Sequence, residues 1–247
     1  MHQEPGSDMI SYFDLHLHTD HGSGDSVLRP RDMVYDATLL GLRGIALTEH
    51  EGWGVFGKDF QTFSWNQQLL LMQSLEVDTE YGHVLAFGIE EYEPAYRDLR
   101  ALRKAADRVG GYLVVSHPFR GLFDGINSKN LLFAEFTRYP KTVDEAAQHQ
   151  IFSLVDDLEV LNGANSEQEN HFALEVAHCL GWSGTGGSDA HNRQNIARAT
   201  TGINGDIRSK SDFLDAMHAR TYAPIEGFKH GTPQIIGGGG ITLDSPN

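Results

Sequence analysis

The chain has a single cysteine, Cys179, in 247 residues, which excludes an internal disulfide framework and any zinc site built on thiolates. Long apolar runs are absent as well. The greasiest stretch, Leu69 to Met72, falls far short of the roughly 20 residues that a membrane helix needs. The opening MHQEPGSDMI has neither a basic nor an apolar region, so no secretory signal is read and a cytoplasmic location is expected. Basic residues are scarce: 19 Lys and Arg stand against 34 Asp and Glu, a formal net charge of −15. A surface that acidic repels nucleic-acid backbones unless a basic patch or a bound cation reverses the field. No stable nucleic-acid binding and no membrane contact are therefore expected, and the sequence leaves the oligomeric state open.

What the chain does have is histidine, 13 residues against the one cysteine. Imidazole is the commonest metal ligand and the side chain that titrates nearest neutral pH. His2, His149, His171, His178, His218 and His230 sit near a terminus or in helix-like stretches, whereas His16, His18, His21, His50, His83, His117 and His191 fall in or beside short apolar runs. With 40% hydrophobic and 21% charged residues, the composition is that of a globular protein. A chain of this length allows one large domain with a sizeable core.

Strand and helix signals alternate along the chain. Met9 to Leu17, Gly44 to Thr48, Leu69 to Val77, Val84 to Ile89, Tyr112 to Ser116, Asp157 to Leu161, Trp182 to Gly186 and Tyr222 to Ile225 read as strands, with Leu69 to Met72 able to serve a helix instead. Pro30 opens a helix that Gly41 stops, and Glu167 to Leu180 and Ser211 to Ala219 read as two more. Pro94 to Val109 is arginine-rich with i, i+3, i+4 apolar spacing, the pattern of a surface helix. Such alternation predicts an α/β barrel or a doubly wound sheet. The glycine run Gly237 to Gly240 lacks the Lys-Ser/Thr of a phosphate-binding loop and reads as flexible tail.

The chemistry sits at strand ends. In Asp14-Leu-His16-Leu-His18, strand alternation puts Asp14, His16 and His18 on one face and Leu15 and Leu17 on the other, toward the helices. Two imidazoles one strand repeat apart can reach one metal ion, although a strand with two satisfied polar residues would look the same. Ser188-Asp189-Ala190-His191 offers a similar pair, or an Asx-turn that caps the next element. His50 follows GIALTE, Glu76 ends LLLMQSLE with His83 beyond it, His117 follows YLVVS, and Glu159 lies in DDLEVLN. Burying a polar group without a partner costs kilocalories. Such groups at one strand end after another, on the face that carries active sites in barrels, are explained most economically by several bound divalent ions.

These motifs in this order (Asp-x-His-x-His, Thr-Glu-His, Glu-x6-His, Ser-His-Pro-Phe-Arg and Gly-Ser-Asp-Ala-His) resemble the polymerase and histidinol phosphatase (PHP) family from about Asp14 to about Thr201. The resemblance implies a distorted (β/α)7 TIM-like barrel in a single domain, spanning residues 1–230 here with a glycine-rich tail at 231–247. It implies up to three metal ions and phosphoester hydrolysis. Carried over, it places His16, His18, Glu76 and Asp189 on a first ion. Glu76 bridges to a second, held also by His83 and His117. His50, His191 and a group from the loop HTDHGSGDS hold a third. The loop offers Asp20, His21 and Asp25; Asp25 is preferred, because Gly22 and Gly24 let the loop return it to the strand mouth. Glu49 stands where the family usually has Asp, and is expected to orient His50 rather than to ligate.

An all-nitrogen-and-oxygen donor set fits zinc, manganese or ferrous iron. Three divalent ions would outweigh the carboxylates of Asp25, Glu76 and Asp189, drawing a phosphate into an otherwise acidic protein. A metal-bound hydroxide would then attack phosphorus while the other ions stabilise the developing charge. Glu76, Asp189 and Arg120 are the expected catalytic groups. Arg120 reads either as a forked phosphate clamp or as a surface ion pair, with Arg193 and Arg198 as weaker clamps. The aromatic segment Trp53 to Trp65 and the stretch Gly121 to Tyr139 are each either a lid or satellite core. Without a long basic stripe, the expected substrate is a small phosphorylated molecule, a phosphomonoester or a nucleotide-type phosphodiester. A histidinol-phosphate-type phosphatase, an amidohydrolase-like hydrolase and a non-catalytic metal-binding accessory domain are the alternatives.

Overall fold

One strand holds the sheet together at both ends. In the computed structural model, which describes residues 9–50, 69–125, 129–238 and 241, the strands are β1 (Ile10–Leu17), β2 (Gly44–Glu49), β3 (Leu70–Thr79), β4 (Gly82–Phe87), β5 (Tyr112–Val115), β6 (Asp157–Asn162), β7 (Thr185–Gly187), β8 (Thr200–Asn204), β9 (Tyr222–Glu226) and β10 (Gln234–Ile235). They form one sheet in the order β10-β9-β8-β1-β2-β3-β4-β5-β6-β7. The first half of β1 pairs antiparallel with β8, from Ile10 opposite Asn204 to Phe13 opposite Thr201. Its second half meets the segment after β7: His18 N donates to Ala190 O at 3.1 Å and Ala190 N to His16 O at 3.4 Å. The sheet thus curls until its last barrel strand returns to its first. The fold is α/β, a distorted TIM-like barrel with β8–β10 as an antiparallel extension.

Two departures from an all-parallel barrel shape the site. β4 runs antiparallel to both β3 and β5, so it brings its beginning, not its end, to the mouth where β3 ends. β1 carries one extra residue, since Asp14 pairs with Ile45 but Leu17 with Leu47. A bulge of this kind reverses which residues face inward. Phe13 and Leu15 pack with Ala46, Met72, Leu85, Tyr112 and Val114, whereas Leu17 joins Ile45, Leu47, Leu75 and Val115 in the other cluster. The simple alternation expected for Asp14 to His18 therefore does not hold. Leu15 and Leu17 part company, and the bulge aims His16 and His18 into the mouth.

The helices are α1 (Pro30–Leu39), α2 (Leu99–Val109), α3 (Val143–Ala147), α4 (Glu167–Leu180) and α5 (Lys210–His218). Met33, Val34, Leu99, Leu102, Ala173 and Val176 bury against the outward residues of the strands. Phe213 and Met217 of α5 pack with the inward cluster of Phe13, Phe87 and Tyr222. α4 starts at a capping box in which Ser166 and Glu169 satisfy each other's backbone, and ends at Gly181 in the left-handed region. The expected helix from Pro94 is shorter than read. Pro94–Arg97 forms one 3₁₀ turn, and extended Asp98 restarts the chain by accepting a hydrogen bond from Arg100 N. β8, α3 and β10 carry no strong periodic signal and were not expected. β10 pairs with β9, so the sheet reaches past residue 230. Trp53 to Trp65, Gly239 and Gly240 lie outside the described residues. Among the described residues, no helix is long and apolar enough to cross a membrane.

Candidate metal centre

The strand ends converge on one carboxylate. Glu76 Oε1 lies 3.0 Å from His117 Nε2, 3.1 Å from His83 Nδ1 and 3.3 Å from His16 Nε2, and accepts from Ser116 Oγ at 2.8 Å. Its Oε2 lies 3.3 Å from both His18 Nε2 and His50 Nδ1. Asp189 Oδ1 adds a second carboxylate, 3.5 Å from His16 Nε2 and 3.4 Å from His18 Nε2. Asp25 Oδ2 is 3.2 Å from His191 Nε2 and 3.7 Å from His50 Nε2. His16, His18, Asp25, His50, Glu76, His83, His117, Asp189 and His191 are thus brought together. Three of the overlapping groups that bring ligand atoms close enough for one ion are His16–His18–Glu76, Glu76–His83–His117 and His18–His50–His191.

The backbone is bent to make this possible. His117 and Asp189, just past β5 and β7, have φ of 31° and 53°, left-handed values that cost a non-glycine residue on the order of 1–3 kcal/mol and collect at functional sites. Gly187 has to be glycine: a Cβ there would sit 2.5 Å from His16 Cβ and 2.7 Å from Glu159 Oε1.

The hydrogen bonds behind the histidines fix which nitrogen faces inward. Glu159 Oε1 can only accept, so His16 Nδ1 donates to it at 3.0 Å. The other Glu159 oxygen accepts from His117 N at 2.9 Å and from Asn162 Nδ2 at 2.8 Å. Ser23 Oγ donates its one proton to Glu49 Oε2 at 2.6 Å and so accepts from His18 Nδ1 at 3.1 Å. Both histidines therefore present Nε2 to the carboxylates. Both Nε2 atoms are buried without a hydrogen-bond partner, acceptors facing acceptors, an arrangement that is stable only with a cation between them. A proton or a metal ion can fill that role, and a donor set of imidazoles and carboxylates fits a divalent metal.

The charges respond accordingly. Burial works to raise the Glu76 carboxyl, yet His16, His117 and His83 hold it well below its ordinary value. Asp189 is likewise held far down by His16 and His18 against burial. Burial opposes charge on His16, but Glu159, Glu76 and Asp189 outweigh it and raise its pKa well above the ordinary value. His18, where burial dominates, is pushed down to about 4.

Several expectations are corrected. Glu49 reaches both histidines through Ser23: its carboxylate accepts from Thr19 N at 3.1 Å and from Ser23 Oγ, which accepts in turn from His18 Nδ1 at 3.1 Å and from His50 N at 3.3 Å. Asp14 serves backbone rather than the imidazoles, accepting from Ser188 N and Ala197 N, both at 2.9 Å, and from His16 N at 3.4 Å. Of the two readings of Arg120, the structure shows an ion pair, made by a 40% exposed side chain to buried Asp189. Its Nη2 donates to Asp189 Oδ2 at 2.6 Å and to Asn162 Oδ1 at 2.9 Å, and its Nε to Asn165 Oδ1 at 2.8 Å. Arg193 pairs with Asp36 of α1 at 2.6 Å, and Arg198 is exposed. His21 pairs with Asp20 at 2.6 Å on the outside, which leaves Asp25 as the loop group that meets His50 and His191. In the stretch from Gly121 to Tyr139, Phe133 is buried against Phe119, so that part is core. The sequence shows Glu159 as a strand-end carboxylate but not its support of His16, nor that of Ser23 for His18.

Residues 14–109 match the PHP domain and residues 167–222 the PHP-associated segment. The first span holds His16, His18, Asp25, His50, Glu76 and His83, and the second holds Asp189 and His191, with His117 and Arg120 between them. The chain is 29% identical over 112 residues to an error-prone DNA polymerase of Cutibacterium acnes, an alignment that takes in 45% of this chain and 8% of that protein. It resembles, with a TM-score of 0.63 and 20% identity, a two-domain protein of Bacteroides vulgatus containing a predicted PHP-like metal-dependent phosphoesterase, over 91% of this chain and 67% of that one. It also resembles a lesion-specific endonuclease of Pyrococcus furiosus, with a TM-score of 0.56 and 16% identity, over 85% of this chain and 56% of the other. These two likenesses speak to the fold, and the matched domain models speak to descent: the chain belongs to the PHP family.

Proposed function

We propose that this protein is a metal-dependent phosphoesterase acting on a small phosphorylated molecule, a phosphomonoester or a nucleotide-type phosphodiester. The observation that carries the reading is the buried pair of unpartnered Nε2 atoms on His16 and His18, aimed at Glu76 and Asp189. His16, His18, Glu76 and Asp189 would hold one divalent ion, Glu76, His83 and His117 a second, and Asp25, His50 and His191 a third. Zinc, manganese and ferrous iron all suit these donors. When bound, such ions neutralise phosphoryl oxygens and acidify a water for attack on phosphorus.

The chain's own residues supply orientation. Glu159 and the Glu49–Ser23 pair lock His16 and His18 with Nε2 inward, and second partners of this kind raise ligand basicity and hold ring position. Arg120 holds Asp189 from behind. Asp25 is the most exposed of these carboxylates, with 61% of its side chain open. Among the described residues, the side chains that meet Glu76 are ligand candidates or support one.

The test is elemental analysis of protein purified without added metal, followed by a panel of phosphomonoesters and diesters with and without EDTA. Two to three transition-metal ions per chain and EDTA-sensitive hydrolysis are expected. Fewer than one ion per chain after reconstitution with manganese or zinc would overturn the multinuclear reading.

A further inference from the structure

A cleft of about 210 Å³ adjoins the metal centre, and its lining includes His83, His117, Arg120, Tyr81, Lys129 and Leu131. The walls are built rather than incidental. Buried Asn130 donates to Pro118 O at 2.8 Å and to Arg120 O at 2.9 Å, which ties the segment carrying Lys129 and Leu131 across to the loop after His117. Tyr81 occupies the β3–β4 turn, where its ring meets the edge of His149. The next residue, Gly82 (φ 101°), lies so close to Leu131 that a Cβ would be 3.2 Å from the Leu131 Cβ.

Size and charge define what fits. At roughly 30 Å³ per water, the cleft has room for a short organic group and is smaller than the roughly 300–1,000 Å³ of a drug-sized site. Among the described residues that line it, Arg120 and Lys129 are the Lys and Arg side chains and none is Asp or Glu, while Glu76 and Asp189 lie behind His83, His117 and Arg120. Arg120 is committed to Asp189, and among the described residues lining the cleft exposed Lys129 is the other Lys or Arg side chain.

We infer that this cleft is the leaving-group subsite of the phosphoesterase proposed above, and that Lys129 selects a short leaving group bearing its own anion, a carboxylate or a second phosphoryl group. Resting on that reading, the inference places the scissile phosphoryl group at His83 and His117 and the distal anion at Lys129, with the apolar link against Leu131 and Tyr81.

Calorimetric binding to the metal-reconstituted full chain tests it with three probes: propylphosphonate, 3-phosphonopropionate and 1,3-propanediphosphonate. Each of the two dianchored probes should bind about five- to tenfold tighter than propylphosphonate, and whichever gains more identifies the distal anion. Lys129→Gln should bring that ratio close to one, and Lys129→Arg should keep most of it. A ratio that Lys129→Gln leaves unchanged overturns the subsite while the hydrolase reading stands. Failure of all three phosphonates to bind protein shown to carry its ions overturns the phosphoesterase reading together with the subsite.

Discussion

Arg120 Nη2 donates to Asp189 Oδ2 at 2.6 Å, while the other oxygen of that carboxylate faces the Nε2 atoms of His16 and His18. The guanidinium therefore acts on the centre through Asp189, which it turns and holds at a left-handed backbone position. Arg120→Ala should loosen Asp189 and weaken metal retention by about 10- to 100-fold, the usual cost of losing such a support, with hydrolysis falling alongside. Arg120→Lys should recover part of the loss at most, because a single ammonium cannot reach Asn162, Asn165 and Asp189 together. Metal titration beside steady-state kinetics checks this. Full metal affinity in Arg120→Ala with only KM raised would return Arg120 to the role of a substrate clamp.

Glu76 faces His16, His83 and His117 with one oxygen and His18 and His50 with the other. Glu76→Gln preserves its shape but removes the negative charge that the surrounding ligands share. At least one ion per chain should be lost, and the rate should fall by about two orders of magnitude or more. Asp189→Asn should lose metal at the first position in the same way. Elemental analysis of each variant after identical reconstitution decides the matter; a Glu76→Gln protein with all its ions and full rate would contradict the assignment.

The Glu49–Ser23–His18 chain makes a subtler prediction. Ser23→Ala removes the acceptor for His18 Nδ1 and leaves buried Glu49 short of one donor. Metal affinity should fall by about tenfold, and the metal-free protein should lose about 1–2 kcal/mol in chemical denaturation. Glu49→Asp shortens the reach to Ser23 and should resemble Ser23→Ala in metal affinity. Gly22 leaves no room for a rearranged neighbour, since a Cβ there would sit 2.6 Å from the Glu49 side chain. Unchanged affinity in both variants would show that His18 needs no orientation.

The histidine and carboxylate motifs were legible because each occupies a short apolar run, and strand periodicity turns sequence spacing into spatial direction. That logic located His16, His18, His50, Glu76, His83, His117, Asp189 and His191 at one mouth. It failed where the backbone departs from regularity. The bulge in β1 breaks the alternation that was expected to hold Asp14 beside His16, and a one-residue insertion in pairing has no marker in the residues themselves. The partners of Arg120 were hidden for a different reason: its position three residues after His117 puts it at the mouth, but Asn162 ends β6, Asn165 follows it and Asp189 lies past β7, and such long-range partners are invisible to local pattern. Glu159 stood out as a strand-end carboxylate, yet its service to His16 Nδ1 depends on β6 lying close to β1, a consequence of closure rather than of sequence.

The last prediction concerns pH, and its sign follows from two histidines that move in opposite directions. Without metal, burial disfavours charge on His16, but Glu159, Glu76 and Asp189 outweigh it and raise its pKa well above the ordinary value. The native state therefore binds more protons than the unfolded chain above about pH 6.5. His16 stabilises the metal-free protein fully below that pH, and the contribution drains away as pH rises toward its folded pKa. His18, pushed down to about 4 by burial, stays neutral in the native state while the unfolded chain takes up a proton, so it costs stability as pH falls from about 6.5 toward 4. A divalent ion takes the place of the His16 proton. Metal uptake should release protons, visible as a dependence of calorimetric heat on the buffer's ionisation enthalpy. The gain in Tm on adding manganese or zinc should grow as pH is raised from 6.5 to 8.5, and hydrolysis should decline in acid as imidazoles protonate. Scanning calorimetry of the EDTA-treated and reconstituted protein across that range is the measurement. A metal-induced Tm gain that shrinks with rising pH would mean that the proton and the ion do not compete for the space between His16, Glu76 and Asp189.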